Sequence, residues 1–208
     1  MNQLSPRQDA RANRQAEQRQ RILDAAIVCF ARGGFHATGM QAVCAEAGMS
    51  PGGLYRYFRS KEAIIEAIVE RDRAVIPAML GQLLEADDVV EAIIEAARQF
   101  LVGNLKPDGL PIFPELYAEA IRNPAVKAIA ERCDAEVHGI MVRVLERGKT
   151  LGQVDPALDA AQAVRLLMAL ADGVLLRILY EPGAEIDGLM PMFERSIRRF
   201  LAAGEPVR

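Results

Sequence analysis

The chain has few of the residues on which enzyme and metal chemistry depends. Its 208 residues include two histidines, His36 and His138, and three cysteines. The cysteines, at positions 29, 44 and 133, are too far apart for a metal site or a CxxC motif. An odd, scattered set suits a reducing compartment. We therefore predict no metal, no cofactor and no enzymatic activity.

Two short patterns resemble enzyme motifs but lack the residues that would complete them. Residues 48–52 fit G-x-S-x-G, yet a helix rather than a strand is expected before them, and neither histidine is placed to form a triad. Residues 34–39 have the glycine spacing of a P-loop, but Met40 and Gln41 stand where Lys and Ser or Thr belong. Neither pattern predicts a catalytic site.

Long apolar runs are also missing. No stretch approaches the roughly 18 uninterrupted apolar residues of a membrane-spanning helix, and the start lacks the apolar core of a secretory signal. We therefore expect a cytoplasmic protein without a membrane partner.

The short β-branched runs lie inside helical-period patterns, so the sequence predicts an all-α fold. Beyond residue 61, amphipathic stretches predict helices at about 61–80, 88–105, 111–122, 124–148, 157–180 and 187–203.

Residues 38–61 predict two short helices around a turn that contains a glycine. Thr38 is expected to start the first helix in a capping box, with its hydroxyl accepting a backbone N–H three residues on. Gly48 is expected to end that helix in a left-handed conformation. Ser50 should cap the next helix, with Pro51 at its first position. Two helices joined in this way form the arrangement that enters a DNA major groove.

Gly52 and Gly53 follow inside the second helix, where each glycine is roughly 1 kcal/mol less favourable than alanine. Two interpretations stay open: bare backbone permits close approach to DNA, or the pair forms a loose turn at the helix start. Ser60 is expected to cap a further helix. Lys61 then lies in its first turn, where a cation is unfavourable unless a phosphate binds; a solvated lysine beside Glu62 is the alternative.

Charge divides the chain into two parts of opposite sign. Residues 1–61 contain nine Lys or Arg and four Asp or Glu, whereas the remaining residues contain sixteen and twenty-four. The basic part favours DNA through counterion release, and the acidic part discourages nonspecific binding elsewhere. The first fifteen or so residues lack an apolar stripe, so we expect a mobile tail. Its Arg7, Arg11 and Arg14 either add nonspecific charge or reach a minor groove.

The stretch from Ile22 to Ile64 resembles the N-terminal domain of TetR-family transcriptional regulators. Gly39 departs from the family, which usually has a Thr or Ser there that touches phosphate, and Cys44 replaces a usual Ala. The residues that carry the resemblance are Ile22, Ala25, Ala26, Phe30, Gly34, Phe35, Thr38, Met40, Val43, Ala47, Gly48, Ser50, Gly52, Leu54, Tyr55, Tyr57, Phe58, Ser60, Lys61 and Glu62.

The resemblance implies a DNA surface with two kinds of contact. Phosphates would be held by Thr38, Tyr55, Tyr57 and Lys61, whereas Ser50, Pro51, Gly52, Gly53 and Arg56 would bring the second helix against the bases. Arg56 can pair with guanine O6 and N7, which discriminates by about 1–3 kcal/mol. A phosphate contact by Arg56 stays open as the alternative.

The resemblance also implies an apolar pocket for a small-molecule effector in a helical C-terminal domain. The segment 113–124 loosely resembles the sensor domains grouped with the betaine-pathway repressor. Glu115 and Glu119, one turn apart, could face a cationic ligand, water or Arg122. The candidate pocket residues, each of which could instead be ordinary core, are Phe100, Phe113, Glu115, Tyr117, Glu119, His138 and Met141.

Pairing of the last two helices across a two-fold axis is implied as well. Their apolar faces are wide enough for a homodimer interface, with core packing as the alternative. The predicted interface residues are Val164, Leu167, Ala171, Val174, Leu175, Ile178, Phe193, Ile197 and Phe200.

These observations predict a mobile basic tail over residues 1–15, a three-helix helix–turn–helix domain over 16–61, and a larger helical ligand-binding and dimerisation domain over 62–208. The expected function is transcriptional regulation by sequence-specific binding to a double-stranded, palindromic operator, with a small-molecule effector releasing a homodimeric repressor. The alternative is a helical small-molecule-binding or adaptor protein that does not read DNA; an enzyme using the C-terminal cavity is a further one.

Overall fold

The computed structural model describes residues 6–72, 76–105, 112–181 and 185–202, and these ranges contain helices and no strand. The predicted all-α fold is confirmed, and the stretch predicted at 61–80 is two helices. No helix within the described ranges is long and apolar enough to cross a membrane. The helices are α1 Pro6–Ala37, α2 Met40–Glu46, α3 Pro51–Tyr55, α4 Lys61–Asp72, α5 Ile76–Glu85, α6 Val89–Asn104, α7 Ile112–Ala120, α8 Pro124–Thr150, α9 Ala160–Tyr180 and α10 Ile186–Leu201.

The chain folds into two compact units, and neither is contiguous in sequence. The first contains the described residues up to Asp72 together with residues 112–128, and the second contains the others. The units therefore do not coincide with the predicted boundary after Lys61. The reason is that α4 and α7 both pack against α1, which joins them to the helix–turn–helix.

The inward face of α1 supplies the core of the first unit. Ile22, Ala26 and Phe30 recur at helical spacing and are fully buried. Phe35 meets Phe30 edge to face, with 4.6 Å between the ring centroids. Burying a side chain of this size stabilises the fold by about 1.5–3 kcal/mol. The same core buries Val43, Leu54, Phe58, Ile64, Ile65 and Ile68 from α2, α3 and α4 and the turn between α3 and α4.

The start of α1 corrects one expectation. Residues 6–15, predicted as part of a mobile tail, are the first turns of this helix. They carry no apolar stripe, but they are rich in Arg, Gln and Ala, which have high helix propensity. They also extend a helix whose later turns are anchored in the core, so no separate nucleation step is needed.

The second unit contains α5, α6, α9, α10 and most of α8. Two ion pairs join α6 to α10, Arg98 with Glu194 and Arg198 with Glu91. Ion pairs on a surface contribute about 0–1 kcal/mol each, so burial of apolar side chains carries most of the stability. The buried residues include Val89, Ile93, Ile94, Leu101, Val144, Leu145, Val164, Leu175, Ile197 and Leu201.

The two cysteines of the first unit are shielded from solvent to different extents. Cys44 is buried and Cys29 is half-buried. Burial, and then the neighbouring Glu46 carboxylate, raises the pKa of the Cys29 thiol. A thiol with a raised pKa stays protonated and reacts slowly with oxidants.

Candidate nucleic-acid interface

The turn between α2 and α3 depends on one residue in the left-handed region. Gly48 has a φ of 61°, as the sequence predicted. A Cβ there would lie 3.0 Å from Nη2 of Arg21. The turn is closed by the Met49 amide, which donates to the Cys44 carbonyl at 3.0 Å. The direction in which α3 leaves the turn is therefore set by the backbone.

Ser50 caps α3, which confirms its predicted local role. Its Oγ accepts the backbone N–H of Gly53 at 3.2 Å, and Pro51 occupies the first helical position. The structure separates the two glycines that follow. A Cβ on Gly53 would lie 3.2 Å from Ser50 Oγ, whereas a Cβ on Gly52 would meet nothing within 4 Å. Gly53 thus accommodates the cap, and Gly52 leaves bare backbone facing outward.

A compact outward surface results, formed by α3 and the residues just after it. Leu54 and Phe58 point inward and are buried. Behind them, the Arg19 guanidinium lies 4.6 Å from the centroid of the Phe58 ring, a cation–π contact between α1 and the end of this segment. The outward residues, all exposed or half-buried, are Pro51, Gly52, Gly53, Tyr55, Arg56 and Tyr57.

Thr38 does not cap α2, contrary to the prediction. The N-cap residue is Gly39, which has no side chain to offer. The Thr38 hydroxyl instead donates to the Cys29 carbonyl at 3.1 Å, and the residue is only 6% exposed. The bond ties the end of α1 to the start of α2. A phosphate contact by Thr38 would require this inward hydroxyl to turn around.

Lys61 also has a structural role that the sequence did not indicate. Its Nζ donates to the carbonyl of Phe35 at 2.5 Å and to that of His36 at 3.2 Å. Both carbonyls belong to the last turn of α1, where a cation offsets the negative end of the helix dipole. The unfavourable position of Lys61 at the start of α4 is thereby compensated by the end of another helix.

The end of α1 is bent at Gly34. Its φ of 73° and ψ of 166° lie outside the helical region. The following amide, that of Phe35, donates to Oε2 of Glu115 on α7 at 3.0 Å. A Cβ on Gly34 would lie 3.2 Å from the same oxygen. Gly34 and Phe35 are among the residues that carry the sequence resemblance, but nothing local indicated a partner 80 residues away.

Glu119 lies beside this contact and is 4% exposed. Its carboxylate lies 3.5 Å from Nδ1 of His36 and 3.4 Å from Nη2 of Arg122. The Asn123 amide donates to Oε1 of Glu62 at 3.2 Å. A hydrogen bond from its own backbone N–H is the main reason why the pKa of Glu62 is lowered. Polar side chains therefore join α7 and the residues after it to the end of α1 and the start of α4.

Comparisons with known proteins agree with this geometry. Residues 22–68 match the model of bacterial regulatory proteins of the tetR family, and residues 91–202 match that of the C-terminal domain of BetI-type transcriptional repressors. The chain belongs to the TetR family. Like its relatives, this TetR-family protein is a DNA-binding transcriptional regulator.

Three relatives illustrate the extent of the match. The HTH-type transcriptional regulator UidR of Escherichia coli K12 is 32% identical over 160 residues, which are 77% of this chain and 81% of UidR. Salmonella enterica GusR superposes with a TM-score of 0.75 at 29% identity, over 89% of this chain and 95% of GusR. A Saccharomonospora viridis transcriptional regulator in complex with choline has the same fold, with a TM-score of 0.73 at 21% identity, over 91% of this chain and 100% of that one.

The residues predicted to line an effector pocket are divided between the units. Glu115, Tyr117 and Glu119 belong to the first unit, and the two glutamates bind the end of α1 as described. Phe100, His138 and Met141 are half-buried in the second unit, where Nε2 of His138 lies 3.0 Å from the Ala161 carbonyl. The side chain of Phe113 lies outside the described part. The ligand-binding role of these residues stays a prediction.

The residues predicted for the dimer face differ in how far the regulator buries them within one protomer. Within their own unit, six of the nine predicted residues are buried core: Val164, Leu167, Ala171, Leu175, Phe193 and Ile197. Val174, Ile178 and Phe200 are half-buried. Large apolar side chains are instead exposed on another face of α9 and on α10: Leu166, Leu170, Leu176, Tyr180 and Met192. The sequence showed that the apolar surface was too wide for one contact, but not which part of it the protomer covers.

Asp172, which the sequence analysis did not single out, is the most perturbed acid described. Burial, and then the charge of Asp134 on α8, raises its pKa to about 6 from an ordinary value of 3.8. The aspartate lies on α9 beside Gly173, next to the exposed apolar face. A group that titrates near pH 6 therefore adjoins the exposed apolar face of α9.

Proposed function

We propose that this regulator is a homodimeric repressor that binds a two-fold symmetric operator and is released by a small-molecule effector. The observation that carries the proposal is the outward surface of α3. It combines bare backbone at Gly52 with the exposed Arg56 on a helix whose start and direction are fixed by Ser50 and Gly48. A rigid helix with little side-chain bulk suits close approach to base edges in a major groove.

A row of polar side chains on α1 adjoins this surface. Arg14, Gln18 and Arg21 are spaced by four and three residues and so share one helix face. Gln18 donates to Met49 Sδ at 3.0 Å, and Arg21 lies next to Gly48, so the row leads up to the α2–α3 turn. In our proposal, the arginines of this row contact phosphates beside the half-site, contacts that position the protein without reading sequence.

Dimerisation is proposed through the exposed apolar side chains of α9 and α10. Leu166, Leu170 and Tyr180 lie on one face of α9, with the exposed Gly173 between them. A glycine on such a face lets a second helix approach closely. Two recognition helices must then stand about 34–36 Å apart, or a multiple of this distance, to enter successive major grooves.

The effector is proposed to bind the second unit near Phe100, His138 and Met141. Because a regulator of the same fold holds choline, choline is the first compound to test. A ligand that favours a DNA-incompetent state by about 1–3 kcal/mol would weaken operator binding roughly 5- to 150-fold.

The test is fluorescence anisotropy of the homodimer on DNA selected from a random library, at several salt concentrations. Arg56→Ala should lower discrimination at one base pair by about 1–3 kcal/mol if Arg56 reads guanine. Lys61→Ala separates two roles. Loss of one phosphate contact per protomer would reduce the slope of log K against log salt by about 1.8, whereas loss of the bonds to α1 would weaken binding at an unchanged slope.

Arg143→Ala provides the control, because it removes an exposed positive charge from α8 of the second unit. It should leave both affinity and slope close to those of the wild type. Weak, sequence-independent binding by the wild-type protein would contradict the proposal and favour the adaptor alternative.

A further inference from the structure

We propose that Glu115 is a positioning residue for DNA binding: it holds the backbone N–H of Phe35 while Lys61 holds the carbonyl of the same residue, so that α7 sets the path along which α1 leads into the helix–turn–helix. The inference rests on the proposed function. It assigns Glu115 to the control of the DNA-reading helices, in place of the ligand contact predicted from the sequence.

The backbone of Phe35 is held at both of its polar groups. The N–H of Phe35 donates to Oε2 of Glu115 at 3.0 Å, and its carbonyl accepts from Nζ of Lys61 at 2.5 Å. The two partners come from different helices, α7 and α4. One residue of α1 is therefore held by an anion at its donor and by a cation at its acceptor, and charged partners form the stronger class of hydrogen bonds.

The conformation of Gly34 makes the bond between the Phe35 amide and Glu115 possible. At Gly34 the chain leaves the helical region, with φ of 73° and ψ of 166°. The Phe35 amide is thereby directed to a side chain instead of to the preceding turn of α1. Because a Cβ on Gly34 would lie 3.2 Å from Glu115 Oε2, the glycine also leaves the carboxylate room to reach the amide.

A second set of contacts supports the bond between Glu115 and Phe35. Glu119 is buried within 3.5 Å of His36 Nδ1, and Asn123 donates to Glu62 at 3.2 Å. Two successive turns of α7 and the residue that precedes α8 thus contact the same two helix ends. A displacement of α7 would disturb several bonds together.

Phe35 and Lys61 lie at the two ends of the helix–turn–helix along the chain. Phe35 is only five residues before the start of α2, and Lys61 is the first residue of α4, so the two ends of the helix–turn–helix are both held. Along the chain, α7 follows α6, and α8 continues from the first unit into the second. Within the first unit, a displacement of α7 would therefore reach α1 through Glu115 and its neighbours.

The experiment compares the full-length wild-type protein with Glu115→Ala, Glu115→Gln, Lys61→Ala and the Glu115→Ala, Lys61→Ala double variant. Each is titrated against the library-selected operator at several salt concentrations. Amide exchange of the peptide that contains Phe35 is followed by mass spectrometry without DNA. Glu70→Ala is the control, since Glu70 is an exposed glutamate of α4 in the same unit.

We expect Glu115→Ala to weaken operator binding about 2- to 30-fold at an unchanged salt slope, because no phosphate contact is lost. Phe35 should exchange faster in this variant. Glu115→Gln keeps an oxygen acceptor and should restore both properties towards wild type. The double variant should bind more tightly than the product of the two single effects predicts, since both residues act on the backbone of Phe35.

Wild-type affinity and wild-type exchange in Glu115→Ala would overturn the inference, and so would a reduced salt slope, which would indicate a phosphate effect. If Glu115→Ala fails to fold, Glu115→Gln provides the test. An operator affinity and a Phe35 exchange rate close to those of the wild type support the role of the oxygen acceptor. Weaker operator binding together with faster exchange of Phe35 refutes it. If the wild-type protein selects no operator, the proposed function fails, while the exchange comparison still tests the Phe35 contact.

Discussion

Substitution of Gly34 by alanine tests how firmly the end of α1 is constrained. A residue at φ 73° and ψ 166° occupies a region that is almost restricted to glycine. Placing a Cβ there costs about 1–3 kcal/mol of backbone strain. The new methyl would also lie 3.2 Å from Glu115 Oε2. If the carboxylate turns away, the Phe35 amide loses a bond to a charged group, worth about 1.5–3 kcal/mol.

The two effects together predict a loss of about 2.5–6 kcal/mol in the free energy of unfolding. For a chain of this length, a loss of about 4 kcal/mol lowers the melting temperature by about 8–16 °C. Thermal unfolding measures this shift when it is followed by circular dichroism in the α-helix band, at about 222 nm. The helix-rich fold gives a strong signal.

Gly139→Ala is the matched control for this measurement. Gly139 lies inside α8, and a Cβ there would meet nothing within 4 Å. Alanine at such a position should raise stability by up to about 1 kcal/mol. A Gly34→Ala protein that melts at or above the wild-type temperature would refute the reasoning, because it would show that the bend and its carboxylate contact tolerate a side chain.

Two further predictions concern the second unit. Asp172, whose pKa is raised to about 6, is neutral in the folded protein at low pH, so its contribution to stability is full below about pH 4 and is lost as the pH rises through 6. After allowance for its partial exposure, the part of this loss that falls between pH 5 and 7.5 is about 0.5–1 kcal/mol. Urea unfolding at these two pH values should show it in the wild type and not in Asp172→Asn, and an equal loss in both would contradict it. Leu170→Glu, on the exposed face of α9, should give folded monomers in sedimentation velocity, whereas Leu167→Glu, at 7% exposure, should destabilise the protomer itself. A Leu170→Glu protein that stays dimeric would show that this face is not the interface.

The helix–turn–helix was predictable because its signals are local. Gly48 and Ser50 act on amides within a few residues of themselves, so the sequence alone indicates a left-handed turn and a cap. The same reasoning failed at Thr38, where a hydroxyl could serve either the next helix or the previous one. The hydroxyl donates to the Cys29 carbonyl of α1 instead of accepting an N–H of α2, and this alternative has no sequence signature.

Contacts between distant residues could not be predicted in this way. Glu115 and Glu119 were identified as a pair on one helix face, and the predicted neighbour Arg122 does contact Glu119, but the contact of both glutamates with the end of α1 was not predicted. Similarly, the apolar pattern of α9 is nearly continuous around the helix. Periodicity therefore identified apolar surface without distinguishing Leu167, which the protomer buries, from Leu170, which it exposes.

Because the first unit combines two separate stretches of the chain, it cannot be exchanged between related regulators as one segment. A fragment that ends at Asp72 would contain α1 to α4 but would omit residues 112–128, which carry Glu115, Glu119 and Asn123. A hybrid protein joined at that single point would place a foreign α7 against the end of α1. Transplanting the operator preference of this protein intact therefore calls for two grafted stretches of chain, with crossovers on both sides of α7 as well as after α4.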